Sequence, residues 1–311
     1  MLIPCNYIIV VRLCQIAKCR RVVFLTAALA AVLAVVAAPA PESFRFVILG
    51  DRTGEAIPGV YEQIWHEAAA EDPAFVLTVG DTIQGLNDAT ADTEWQEAAR
   101  ILRPFRNFPI YLVPGNHDIW SPLSERLFRK YAAHLPHYSF DYAQAHFTVL
   151  DNSRSENLSA EELGFLEMDL AQHAAQPLKI IVSHRPSWLI DAALSNPNFP
   201  LHQLAKKYGV KLVLAGHVHE MLHADLEGVW YISAPSSGGH LRLSAKYEDG
   251  WFFGHILAEV RGANVSFQIE EAKPPHGQGR ITRLEDWGIA GLRAAAASRS
   301  PAALRKSNPE F

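Results

Sequence analysis

Gly115-Asn116-His117-Asp118 and Gly216-His217-Val218-His219-Glu220 are two short runs in which a glycine leads directly into side chains that bind metal ions. Each follows an apolar stretch, Pro109 to Val113 and Lys211 to Leu214, that reads as a buried strand. The arrangement recurs at Gly50-Asp51-Arg52-Thr53-Gly54 after Phe44 to Leu49, and at Gly80-Asp81-Thr82 after Ala74 to Val79. A fifth case is Ser183-His184-Arg185-Pro186 after Lys179 to Val182. The ends of strands are where an α/β sheet gathers its working groups. Glycine lets the backbone turn sharply there and approach an ion, while Asp, Asn and His supply the oxygen and imidazole donors that suit Mn, Fe or Zn. Two aspartates, one asparagine and three histidines exceed the needs of one tetrahedral zinc and match two ions sharing a carboxylate.

Around these loops the pattern alternates strands with helices, as a layered α/β domain requires. Tyr61, Ile64, Trp65 and Ala68 recur at helical spacing after Pro58, and Glu94 to Leu102 predicts a second helix. Phe140 to Tyr142 and His146 to Leu150 form a strand pair, and Ser159-Ala160-Glu161-Glu162 is a capping box opening the helix of Leu163, Leu166 and Leu170. A helix over Leu201 to Tyr208 separates two strands. The chain then turns to β pattern at Val229 to Ser233, Trp251 to Val260 and Val265 to Ile269, the last two joined across Arg261-Gly262-Ala263-Asn264. From Lys273 the composition shifts to Pro, Gly, Ala, Ser and Arg, which predicts a mobile tail with a short helix near Leu284 to Leu292. The expected division is an N-terminal segment 1–40, a domain 41–271 and a tail 272–311.

The 311 residues carry a formal charge of −5, and setting aside the four cations and no acids of the first forty residues leaves −9. A surface of that sign repels phosphate backbones, which argues against a nucleic-acid-coating role. All three cysteines, Cys5, Cys14 and Cys19, lie in that N-terminal stretch, and thiol chemistry is absent from the rest. The stretch is cationic up to Arg20-Arg21, apolar from Val22 to Ala38 apart from Thr26, and closed by Pro39-Ala40-Pro41. It reads as an export signal, either cleaved after Ala37 or Ala38 or retained as a membrane anchor, and places the protein in the periplasm or outside the cell.

In order, spacing and flanking residues, the five loops resemble the blocks of the calcineurin-like metallophosphoesterases, the superfamily that also contains the purple acid phosphatases; the likeness covers about Phe44 to Glu270. It implies a four-layer α-β-β-α sandwich of two mixed β-sheets, and hydrolysis of phosphomonoesters or phosphodiesters through a bridging hydroxide on two divalent ions. Carried over by position, it makes Asp81 the bridging carboxylate, with Asp51 and His219 on the first ion and Asn116, His184 and His217 on the second. His117 is then the acid beside the leaving group, oriented by Asp118. Arg52 and Arg185 are candidate phosphate contacts, and His240, in Ser236-Ser237-Gly238-Gly239-His240, is a candidate at the rim.

One position departs from the pattern. The family's first block reads Asp-x-His, and Thr53 stands where the histidine belongs. Purple acid phosphatases lack it too and use a tyrosine three residues after the bridging aspartate, a place held here by Gln84. Thr53, Gln84 or water fills the gap, each a weaker ligand than imidazole, so the first ion is held less tightly. A rival reading is a degenerate member that binds metal or phosphate without turnover.

Overall fold

Strand β1 (Ser43–Leu49) lies inside its sheet because both of its faces are apolar: Phe46 and Ile48 face one way, Val47 and Leu49 the other, and all four are fully buried. The computed structural model describes residues 43–289, Leu243 excepted. On one side β1 pairs in parallel with β2 (Phe75–Thr78), which pairs in parallel with β3 (Ile110–Tyr111). On the other side run the antiparallel strands β10 (Gly254–Arg261), β11 (Asn264–Glu271) and β12 (Ile281–Arg283). The second sheet has the order β4 (Tyr138–Tyr142), β5 (Ala145–Val149), β6 (Leu178–Val182), β7 (Leu212–Ala215), β9 (Val229–Ser233), β8 (Leu222–Leu226). Its inner pairings are parallel and its two outer ones antiparallel.

The sheets pack face to face through interlocking rings and aliphatics: Phe46, Ile48, Phe75 and Leu77 from the first meet Phe147, Val149, Ile180 and Leu214 from the second. Phe75 stacks on Phe46 at 5.0 Å and meets Phe147 edge-on at 5.4 Å. Removing a ring buried in this way costs about 3–5 kcal/mol. Outside the first sheet, α1 (Val60–Ala70) lays Ile64 and Trp65 on Val47, Leu49 and Val76. Outside the second, α4 (Ala160–Gln172) and α6 (Pro200–Tyr208) cover Ile181, Val213 and Tyr231. Helices α2 (Ala91–Leu102) and α3 (Pro122–Ala132) pack on each other through Trp95 and Phe128, and α5 (Leu189–Ala193) is a short turn after β6. The four-layer sandwich expected from the resemblance is the fold.

The details differ where side chains have competing uses. Ser159 accepts from the Glu162 N–H at 3.1 Å, but the Glu162 carboxylate does not return the bond; it takes the Asp151 N–H at 2.9 Å and pairs with His137 at 2.7 Å. Helix α3 was not anticipated, although Ser121 caps it and Pro122 opens it. Nor is the chain beyond 271 a mobile tail throughout. Strand β12 extends the first sheet, Leu284 lies in a single 3-10 turn rather than the expected helix, and Leu284 and Trp287 join the core between the sheets. Gly and Pro enrichment concealed this anchor because its apolar residues are few and widely spaced. The part of the expected helix beyond Ile289, and the whole N-terminal signal or anchor, lie outside the described residues. Among the described residues no helix is long and apolar enough to cross a membrane.

Candidate metal centre

Asp51, Asp81 and Asn116 stand in the loops after β1, β2 and β3, and His184, His217 and His219 in the loops after β6 and β7, so each sheet brings three candidate ligands to one end of the sandwich. All are buried except the half-buried Asn116. Potential ligand atoms of Asp81, His184 and His217 lie within 4.8 Å of one another, and so do those of Asp51, Asp81 and His219; Asp81 belongs to both groups. Around His184 Nε2, Asn116 Oδ1 lies at 2.9 Å, His217 Nδ1 at 3.1 Å and Asp81 Oδ2 at 3.3 Å. Donors bound at about 2.1 Å to one ion stand about 3.0–3.4 Å apart, so this spacing fits a cation at their centre. On the other side, His219 Nε2 is buried 3.8 Å from Asp51 Oδ1 with no hydrogen-bond partner among the described residues. A buried lone pair facing a carboxylate likewise fits a cation.

Surrounding bonds fix which nitrogen is offered. His184 Nδ1 donates to the Val79 carbonyl at 2.8 Å and His219 Nδ1 to the His240 carbonyl at 2.5 Å, which leaves each Nε2 available as a ligand atom. Both Asp51 oxygens accept the His217 N–H at 2.9 Å, and Asp81 Oδ1 accepts the His117 N–H at 2.9 Å. The glycines permit this closeness: a Cβ on Gly115 would stand 2.1 Å from Asp81 Oδ1, and one on Gly216 2.6 Å from Asp51 Oδ2. Asp81, His217 and His219 themselves hold φ values of 56°, 71° and 60°, a left-handed conformation that non-glycine residues adopt mainly where surrounding structure enforces it.

Packing two carboxylates out of water has electrostatic consequences. Burial, reinforced by Asp81, pushes the Asp51 carboxyl up to about 7. Burial acts on Asp81 in the same direction, but the adjacent His184 outweighs it and holds Asp81 below the usual carboxylate range. His184 is driven down by burial yet lifted on balance to about 9 by Asp81 and Asp51. Burial, with Arg242 nearby, pushes His219 down to about 4. A cation bound among these groups would compete with the proton on His184.

The remaining sequence candidates divide. His117 borders the centre with its Nδ1–H directed to the Gln84 carbonyl. Asp118, expected to orient that ring, does something else: Oδ1 accepts the N–H groups of Thr82 (2.8 Å) and Ile83 (3.2 Å), and Oδ2 that of Gly115 (2.9 Å). It ties the Asp81 loop to the Asn116 loop, and the Gln84 carbonyl takes the orienting role. Thr53 Oγ1 donates to Gln84 Oε1, which also accepts the Glu55 N–H, so the two candidate replacements for the missing histidine bond to each other. Arg52 donates to the Thr82 carbonyl at 3.0 Å and lies near the Tyr61 ring, a structural position. Arg185 pairs with Glu156 and approaches His217 Nε2 at 3.4 Å. His240 contributes its carbonyl to His219 while its side chain is exposed at the cleft.

Two residues escaped the sequence reading. Asn152, after β5, accepts the N–H groups of His184 (3.1 Å) and Arg185 (3.0 Å) and donates to the Arg185 carbonyl (2.8 Å), fixing the His184 loop. A polar residue just past a strand was the available signal, but no glycine precedes it. Arg242 lies against Gly54 and His219, its charge acts on Asp51, and with Gly54, Glu55, Gln84, His117 and His240 it lines a cleft of about 520 Å³. Nothing in its local sequence marks it.

A family model for the calcineurin-like phosphoesterases matches residues 44–221, more than half of the chain. The protein belongs to that family, and is accordingly a hydrolase of phosphoester bonds from a metal-dependent group. The chain is 23% identical over 220 residues to the 3',5'-cyclic adenosine monophosphate phosphodiesterase CpdA of Haemophilus influenzae, covering 66% of this chain and 77% of that protein. It is 28% identical over 259 residues to tartrate-resistant acid phosphatase type 5 of Mus musculus, covering 68% and 77%. In fold it resembles the purple acid phosphatase PPD1 of yellow lupin, with a TM-score of 0.59 and 18% identity over 79% of this chain and 54% of that one.

The Thr53–Gln84 contact leads to an expected result. Thr53→His should raise metal occupancy at the Asp51–His219 side, read by elemental analysis after loading with Mn²⁺. Unchanged or lower occupancy would reject the view that Thr53 weakens this site.

Proposed function

We propose that the protein is an exported phosphoesterase working through two divalent ions, Mn, Fe or Zn, on small phosphomonoesters or phosphodiesters. The observation that carries this is the membership of Asp81 in both ligand groups. Asp51, Asp81 and His219 would hold one ion, and Asp81, Asn116, His184 and His217 the other. When bound, the ions supply a water of lowered pKa as nucleophile and neutralise charge growing on the phosphoryl oxygens.

The chain's own residues do the rest. His117, its Nδ1–H held by the Gln84 carbonyl, delivers a proton from Nε2 to the departing oxygen. Arg242, in the same cleft, orients a phosphoryl oxygen. Asp118 and Asn152 keep the loops in register. Export rests on the cationic and apolar N-terminal segment, with retention as a membrane anchor the alternative fate. The relatives named as a cyclic AMP phosphodiesterase and an acid phosphatase support both ester classes.

The test is turnover of p-nitrophenyl phosphate, bis-p-nitrophenyl phosphate and 3',5'-cyclic AMP with added Mn²⁺. At least one should be hydrolysed, with activity lost to chelator and restored by metal. Uniform inertness of metal-loaded protein would favour the second reading, a binding protein whose first ion site has decayed, which the Thr53–Gln84 pairing motivates.

A further inference from the structure

Of the arginines beside the strand-end centre, Arg52 donates to the Thr82 carbonyl at 3.0 Å and Arg185 pairs with Glu156. Arg242 differs from both: it is half-buried and has no hydrogen bond or ion pair to any described residue. The carboxylate that feels its charge, Asp51, is itself a candidate ion ligand.

The position of Arg242 is set from both sides along the chain. Before it, the N–H groups of Ser237 (3.1 Å) and Gly239 (3.0 Å) donate to the Asp51 carbonyl, and that of His240 donates to the carbonyls of Gly54 (3.2 Å) and Glu55 (3.1 Å). After it, Ser244 donates its N–H (2.6 Å) and its hydroxyl (2.8 Å) to Glu220 Oε1. His240 also accepts from His219 Nδ1, so the two anchors grip neighbouring residues, 219 and 220. A Cβ on Gly54 would stand 2.3 Å from Arg242 Nη2 and 2.9 Å from His219 Cε1, so guanidinium and imidazole meet across a glycine that leaves them room. A guanidinium held partly out of water without an anion of its own is electrostatically unbalanced, and a bound anion corrects this. The space open to it is the cleft shared with Gln84, His117 and His240. Glu55 lines the same cleft, too far away to pair with Arg242, and disfavours any further negative group there.

We propose that Arg242 selects phosphomonoesters over phosphodiesters, by pairing with the terminal oxygen that a monoester has and a diester lacks. The inference deepens the function proposed above and rests on it. A phosphomonoester has three terminal oxygens and is a dianion above about pH 6, whereas a diester has two, shares one charge between them and carries an ester carbon in the third place. Both esters offer the ions a pair of terminal oxygens. Only the monoester has another, charged, for a guanidinium fixed at the side of the Asp51–His219 group.

The experiment compares the metal-loaded full chain with Arg242→Ala and Arg242→Lys, at a pH where the monoester is a dianion. Rates are taken on p-nitrophenyl phosphate and bis-p-nitrophenyl phosphate, and calorimetry measures binding of phenylphosphonate and of its monomethyl ester, which differ only in whether the third oxygen is blocked. Arg242→Ala should lower the monoester-to-diester ratio of kcat/KM by about 10–100-fold, the worth of a charge-assisted hydrogen bond, and Arg242→Lys should recover part of that loss. The ratio of the two phosphonate affinities should fall alongside it. General damage to the centre lowers both rates and leaves the ratio where it was. Wild-type ratios in Arg242→Ala would therefore overturn the proposal. If the metal-loaded wild type turns over neither ester, the phosphoesterase reading fails, and the phosphonate affinities alone decide whether Arg242 discriminates.

Discussion

Asp81→Asn should empty both halves of the strand-end centre and lower turnover by about three orders of magnitude or more. The substitution keeps the shape of the side chain and an oxygen for the His117 N–H, but removes the charge that both ligand groups share. Several kcal/mol of charge stabilisation depend on the ions it holds, and each ~1.4 kcal/mol corresponds to a factor of ten in rate. Elemental analysis and initial rates on p-nitrophenyl phosphate read the two effects side by side, and circular dichroism checks the fold. Retention of two ions at wild-type rate would mean that the carboxylate is not the bridge.

His117→Ala should leave metal content unchanged and slow hydrolysis by about 10²–10⁴, with the larger losses for esters of poor leaving groups. An alkyl alkoxide needs a proton as its bond to phosphorus breaks, whereas p-nitrophenolate leaves without one, so the alkyl ester should be hit harder. Rates on matched alkyl and p-nitrophenyl phosphates measure that contrast. Equal loss on both esters would assign His117 a positioning role in place of proton donation.

The candidate metal ligands were legible because they depend on local chemistry, a buried strand ending in a donor with a glycine leading every block but that of His184, which survives when the chain is read as a string. The pairing of Asp51 with His217, or of Val79 with His184, was not, because those contacts span long separations that only the packed sheets bring together. Asp118 shows the limit of reading by adjacency: next to His117 in sequence, it turns away to satisfy three backbone N–H groups, since buried donors left unpaired are costly. Arg242 shows the opposite case, a cleft residue placed by a loop without periodicity or motif. Most strands and helices followed from alternation and apolar runs and the four-layer arrangement from the family resemblance, while β8 was missed because five residues with Leu222, Ala224 and Leu226 turned inward are too short a pattern to separate from a loop.

The left-handed turns at Asp81, His217 and His219 bear on how the protein meets its ions. Because the packing of the sheets enforces these torsions, the loops that carry the candidate ligands have little freedom to change shape. Exchange of one divalent ion for another should then require little rearrangement of the host, so the metal present during loading should decide which ion is found.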